Sequence, residues 1–416
     1  MFKFLHAADL HLDSPLKGLS RYEDAPLETM RQATRGAFEN LVRTAIDEQV
    51  AFVLIAGDLY DGDWNDHATG SFFLKRASLL RDAGIPLFVI AGNHDAANKM
   101  TKTLDLRGIA TMLDHRRPQT CHLDHWNVTI HGQSYARQDV SDDLSLSYPA
   151  AVKGNFNVGM LHTCASVVSE HPNYAPCSLE GLRNRGYDYW ALGHVHNRQV
   201  LHASPQIVFP GNLQGRHARE TGPKGAYLVT VQDDHSTDLE FRPLDVFRWE
   251  HVQVDVSKAS TAEDALQAVN EALTTASSRT DGLPAAVRVE LVGRSAVHRQ
   301  LTAKQDRYRE SIRVEAYQVA ANEFWLEKIQ FHTQPQQSSR TSESSGAWGQ
   351  LSEQLQSFRE QPEELNRLQN ELQTFLDKFP AELLQAAGCD KELWWRDVLT
   401  EVESRLNQEL FAEPTE

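Results

Sequence analysis

The sequence predicts an α/β protein: a sandwich of two β-sheets, then a small α+β domain and a helical tail. Three observations carry this. From residue 1 to about 245, short apolar runs alternate with helical patterns. The early runs are apolar on both faces, which suits strands covered by helices. The pattern then changes around Asp245, and again where a polar stretch follows Phe331.

The elements follow in order. "FKFLHAAD" reads as the first strand, and a helical stretch from about Leu27 to Glu48 leads to "AFVLIAGD". A helix from about Asn65 to Ala83 leads to a third strand, "IPLFVIAGN". This β-α-β-α-β order implies parallel strands with crossover helices. "NVTIHG", "FNVGMLH", "DYWALGH", "QIVFPG" and "GAYLVTV" come with fewer helices between them and suggest a second sheet of mixed direction. Residues 1–245 are therefore expected to form one domain.

Residues 246–331 read as a small separate α+β domain. "FRWEHVQVDVS" is a strand candidate, and Ser260 with Glu263 forms a capping-box pattern for a helix to about Ala276. "AAVRVELVG", a short helix and "IRVEAYQV" follow. Residues 332–349, rich in Ser, Gln and Pro, read as a flexible linker. In 350–416, Leu365, Leu368, Leu372, Phe375, Leu376 and Phe379 fall at helical spacing, as do Trp395, Leu399, Val402, Leu406 and Leu410. Gly388 and Asp390 punctuate the two as a C-terminal stop and an N-cap. Such stripes pack on each other in a small bundle or offer a face to a partner helix.

Composition narrows the function. The chain has 416 residues, room for two or three domains. "MFKFLHAADLHLD" has no long apolar core of a signal peptide, and no run is long enough to span a bilayer. The four cysteines, Cys121, Cys164, Cys177 and Cys389, match neither a disulfide framework nor a zinc spacing. A reducing, cytoplasmic compartment is expected. A net charge of −16 speaks against indiscriminate binding to nucleic acid, though not against a local basic groove or a metal-filled site. The chain has no GxxxxGK[ST], so no P-loop ATPase activity is expected.

Chemistry concentrates where the strands stop. "FVIAGNHDAANK" ends an apolar run at Gly92 and continues at once with Asn93, His94 and Asp95. Alone, this is a polar turn. Yet Asp9 and His11 follow the first strand, and Gly57-Asp58 with Asp61 follows the second. His162 ends "FNVGMLH", and Gly193, His194 and His196 end "DYWALGHVH". In open α/β sheets the carboxyl ends of strands form the ligand crevice. Carboxylate, amide oxygen and imidazole converge there without a thiolate, a mixture that suits Mn²⁺, Fe²⁺ or Zn²⁺ better than Ca²⁺. The candidates exceed the needs of one ion and suffice for two if a carboxylate bridges.

The series D-x-H, G-D-x-x-D, G-N-H-D, H and G-H-x-H resembles the signature of calcineurin-like metallophosphoesterases. "FLHAADLHLD", "LIAGDLYD", "VIAGNHD", "ALGHVH" and "VFPGNLQ" are similar to SbcD-type DNA repair exonucleases, the nuclease half of Mre–Rad-like complexes. The resemblance implies an αββα sandwich with a cap domain and an ATPase-binding tail. It implies one ion on Asp9, His11, Asp58 and His196, and a second on Asp58, Asn93, His162 and His194, with Asp58 bridging. Manganese is the first expectation, with iron, zinc or magnesium as alternatives. It also implies that His94 serves the leaving oxygen without ligating a metal, and that Asp61 orients it. Some nucleases of this group carry a second histidine near that point, which this chain lacks.

Arg216, Arg219 and Lys224, in "FPGNLQGRHARETGPKG", are candidate phosphate contacts or a solvated loop. The expected activity is a DNA exonuclease, able also to cut single strands, with DNA and an SMC-like ATPase as partners, frequently as a homodimer and without a membrane. A small-molecule or protein phosphoesterase on the same scaffold is the alternative, which needs neither cap nor tail. A catalytically dead binding module is opposed by the intact ligand set.

Overall fold

The computed structural model describes residues 1–14, 25–61, 67–97, 106, 108–165, 175–321, 323–336, 347–376, 395, 398–403 and 406. Strand β1 (Phe2–Ala7) is followed by helix α1 (Leu27–Asp47), β2 (Phe52–Ala56), α2 (His67–Asp82) and β3 (Leu87–Ile90). The three strands are parallel neighbours, as their apolar character on both faces requires. Val53 and Ile55 pack with Phe38, Leu41 and Phe73 of the helices, while Phe52, Leu54 and Ala56 turn the other way.

Next come a short helix α3 (Asn93–Ala97) and strands β4 (Thr111–Met112), β5 (Gln119–Leu123), β6 (Val128–Gly132) and β7 (Phe156–His162). Helix α4 (Leu179–Arg183) precedes β8 (Tyr189–Gly193), β9 (Gln199–Ala203), β10 (Gln206–Phe209), β11 (Gly225–Val231) and β12 (Thr237–Pro243). Two six-stranded sheets result, ordered β12-β11-β1-β2-β3-β4 and β5-β6-β7-β8-β10-β9. Their facing sides share one core, in which Phe4, Phe52 and Phe88 meet Val158, Met160 and Tyr189. Leu161, Trp190 and Leu192 point outward and pack with Leu182 of α4. The layers are thus helix, sheet, sheet, helix.

One strand goes elsewhere than expected. "GAYLVTV" is β11, which joins the first sheet, antiparallel to β1, rather than the second. Its Val229 and Val231 reach the inter-sheet core while Ala226 and Leu228 face the helices. The chain returns across the sandwich to cover the open edge of β1.

The following domain is a three-stranded, all-parallel sheet with helices. It comprises β13 (Arg248–Asp255), α5 (Ala262–Arg279), β14 (Ala285–Ser295), α6 (His298–Ala303), α7 (Gln305–Ala320) and β15 (Phe324–Pro335). The capping box is shifted by one residue from the sequence reading. Thr261 is the cap, its hydroxyl accepting from Asp264 N–H at 3.1 Å, and Asp264 accepts from Thr261 N–H at 2.9 Å. "IRVEAYQV" lies inside α7, and the third strand is β15 instead. β15 extends through His332–Pro335, residues that composition alone assigned to a linker. Phe247 and Trp249 anchor this domain against Met30 and Ala33 of α1.

Helices α8 (Ala347–Glu360) and α9 (Pro362–Leu376) follow. Leu355 and Leu365 bury with Trp395 and Leu399, so the tail helices pack on one another. Phe379, Gly388, Asp390 and Leu410 lie outside the described residues, as does Cys389. No helix among the described residues is long and apolar enough to cross a membrane.

Candidate metal centre

The carboxyl ends of β1, β2, β3, β7 and β8 meet at one end of the sandwich, where the two sheets come close. Gly193, at the end of β8, makes this approach possible, since a Cβ there would stand 1.8 Å from the Ala56 carbonyl oxygen. Gly92 does the same beside Asp58, whose Oδ1 would be 2.3 Å from an added Cβ.

The chain leaves β1, β2 and β8 in a left-handed conformation: φ is 51° at Asp9, 44° at His11, 50° at Asp58 and 103° at His194. Such conformations cost a non-glycine residue about 1–3 kcal/mol each. Backbone bonds hold the turns, with Asp9 N–H donating to Gly57 O and His11 N–H to Asp58 O, each at 3.0 Å. The strained segments therefore lock one another.

The side chains of Asp9, His11, Asp58, Asn93 and His162 are buried; those of His194 and His196 are half-buried. Among the described residues, Asp9, His11 and His196 form one group whose ligand atoms converge, and Asp58, His162 and His194 another. Asp58 Oδ2 lies between them, 3.9 Å from His11 Nε2 and 3.4 Å from His162 Nε2. Asn93 Oδ1 is 3.0 Å from His162 Nε2 and so belongs to the second group. His11 Nε2 and His196 Nε2 stand 3.3 Å apart. Two nitrogen lone pairs aimed at one point beside buried carboxylates form a donor set that suits a cation.

Electrostatics agree. Burial raises the Asp9 carboxyl to about 6. Burial would raise Asp58 too, but His162 and His11 hold it well below the ordinary carboxylate range. Asp58 Oδ1 also accepts the His94 backbone N–H at 3.0 Å. Asp95, fully buried, is pushed up to about 7 by burial and the nearby Asp58, and accepts three backbone N–H groups, from Leu59, Tyr60 and Gly92. It ties the second and third strand ends together.

His94 and Asp61 sit at the rim. Asp61 Oδ1 is 2.9 Å from His94 Nδ1, and its Oδ2 accepts from the Ser14 hydroxyl at 2.6 Å. Burial lowers the His94 imidazole, but the hydrogen bond to Asp61 and the charges of Asp58 and Asp61 together outweigh it and leave the group raised. His94 also converges with His11 and Asp58 closely enough to ligate an ion. Its Nδ1 is engaged by Asp61 and its side chain is 37% exposed, against 0% for His11 and 27% for His196, so it stands at the rim.

The basic loop divides. Arg216 is half-buried at the site, with Nη1 3.6 Å from Asp61 Oδ2 and Nη2 3.2 Å from Glu220 Oε1. Arg219 is exposed. Lys224 turns inward, is buried, and donates to the His196 carbonyl at 3.2 Å, so it is no phosphate contact. Glu220 and Asp95, which sequence reading left without a role, are both buried at the site.

The calcineurin-like phosphoesterase family model matches residues 2–198, and the middle-domain model of metallophosphoesterase YhaO matches 249–334. The chain is 35% identical over 306 residues to the uncharacterized metallophosphoesterase YhaO of Bacillus subtilis, covering 70% of this chain and 71% of that protein. This chain belongs to the calcineurin-like metallophosphoesterases. It is 27% identical over 254 residues to the DNA double-strand break repair protein Mre11 of Sulfurisphaera tokodaii, spanning 56% of this chain and 61% of that one. Among solved structures, a dimetal phosphatase from Danio rerio aligns over 56% of this chain and 93% of its own, at 12% identity and a TM-score of 0.35.

Proposed function

We propose that this chain is a two-metal phosphodiesterase that degrades DNA from its ends, working with an SMC-like ATPase that docks on the C-terminal helices. The observation that carries the metal chemistry is the pair of converging groups, Asp9, His11 and His196 beside Asp58, His162 and His194, with Asp58 Oδ2 within 3.9 Å of His11 and 3.4 Å of His162. Asp9, His11, Asp58 and His196 would hold one ion, and Asp58, Asn93, His162 and His194 the other. Bound ions of this kind neutralise phosphodiester oxygens and lower the pKa of a water, and manganese suits the mixed nitrogen and oxygen donors.

The protein's own groups do the rest. Asp61 accepts from His94 Nδ1–H and helps raise the imidazole above its ordinary value, so the protonated ring carries an Nε2–H that can pass to the leaving oxygen. The strained turns hold the ligands in place before substrate arrives. Arg216, kept at the rim by Asp61 and Glu220, offers a guanidinium to a backbone phosphate. The similarity to Mre11 supports DNA as the substrate.

The net charge of −16 favours a second reading, a phosphoesterase for small molecules or proteins. One assay separates them: end-labelled single- and double-stranded DNA with Mn²⁺ or Mg²⁺, run beside a generic phosphodiester. Stepwise shortening of DNA in Mn²⁺ is the expected result. Turnover of the small ester with DNA left intact would overturn the DNA reading.

A further inference from the structure

We infer that Glu220 is a positioning residue for His196, holding that imidazole in the tautomer that points Nε2 at the first metal position. The inference rests on the reading of His196 as a ligand. Glu220 lies on the loop between β10 and β11 and is 3% exposed. A carboxylate so buried is costly unless it is fully partnered. Asn212 and Arg216 supply fixed donors. Oε2 accepts from Asn212 Nδ2 at 2.9 Å and from the Arg216 backbone N–H at 2.7 Å. Oε1 accepts from Arg216 Nη2 at 3.2 Å and stands 2.7 Å from His196 Nδ1.

An ionised carboxylate can only accept, so the hydrogen of a neutral His196 ring resides on Nδ1. Arg216 Nη2, a donor only, is 3.3 Å from the same nitrogen, but a bare Nδ1 would set its lone pair against the Glu220 oxygen at 2.7 Å, so the shorter contact places the hydrogen on Nδ1. Nε2 keeps its lone pair, and it is Nε2 that lies 3.3 Å from His11 Nε2. His162 uses the same device with a different acceptor, for its Nδ1 is 2.9 Å from the Ala56 carbonyl. His196 is thus oriented by a side chain and His162 by the main chain. The His196 orientation can be altered by changing a side chain that is not itself one of the proposed ligands.

The test titrates metal-free protein with Mn²⁺ by calorimetry, comparing wild type, Glu220→Gln and His196→Ala, with the metal-free melting temperature of each. Glutamine keeps the size and one acceptor, but its NH2 must face either His196 Nδ1 or the Asn212 and Arg216 donors, so the full set of bonds to His196 and its holder is lost. In Glu220→Gln one site should weaken about 10–100-fold, the range for outer partners of metal-binding histidines, while the second keeps wild-type affinity and the melting temperature holds. If both sites weaken together as the melting temperature falls, Glu220 supports only the loop and the inference fails. Wild-type affinity at both sites of Glu220→Gln, with one site lost in His196→Ala, would also overturn it while sparing the ligand reading. Both sites intact in His196→Ala would remove the ligand reading and the inference with it.

Discussion

His94 is the residue whose role depends most on what it touches. Asn93 beside it faces His162 Nε2, whereas the His94 ring is bound through Nδ1 by Asp61. Replacing His94 with alanine leaves the backbone N–H that Asp58 accepts, so the second carboxylate of the site stays in place. His94→Ala should therefore retain both ions and lose about 10²–10⁴-fold in turnover, the range for a positioned acid or base. Asp61→Asn should lose less, because it disturbs only the orientation and basicity of the ring. Metal content and turnover measured on one preparation check this. Loss of an ion in proportion to activity would make His94 a ligand instead. The convergence of these residues was legible in the sequence because each follows an apolar strand at once. Glu220 was not legible. It stands alone in a loop of basic residues, and nothing in its spacing distinguishes a buried partner of His196 from a solvated counter-charge.

The strand ends work only if the two sheets come close, and Gly193 is where that is decided. Gly193→Ala puts a methyl group 1.8 Å from a main-chain oxygen of β2, which cannot swing aside as a side chain would. It should cost about 3 kcal/mol, the upper end of ordinary overpacking, read as a lower urea midpoint. Gly154→Ala has open space at a left-handed residue and should cost only about 1 kcal/mol, the cost of a Cβ in that conformation. Equal midpoints for the two variants would mean that the sheets do not meet as described. Parallel β1, β2 and β3 were legible from their doubly apolar character. β11 was misplaced because its composition suits either sheet, and which free edge it joins is a long-range choice. "IRVEAYQV" alternates like a strand, yet Ile312, Ala316 and Ala320 also fall one turn apart, and burial of that face against α5 and β15 wins.

Across the whole molecule, the tail closes on itself, with Leu355, Leu365, Trp395 and Leu399 forming their own cluster. A chain ending at Gly346 should therefore stay soluble and keep metal-dependent hydrolysis, while losing the proposed ATPase. An insoluble product would show that the tail helices cover the rest of the chain. Asp58 Oδ2 stands between His11 and His162, the place from which one carboxylate would serve two ions. The most direct measurement is the number of Mn²⁺ ions per chain, by elemental analysis after gel filtration, in wild type and Asp58→Ala. Two ions in wild type and none in the variant is the predicted result. A single ion retained by Asp58→Ala at full affinity would contradict it.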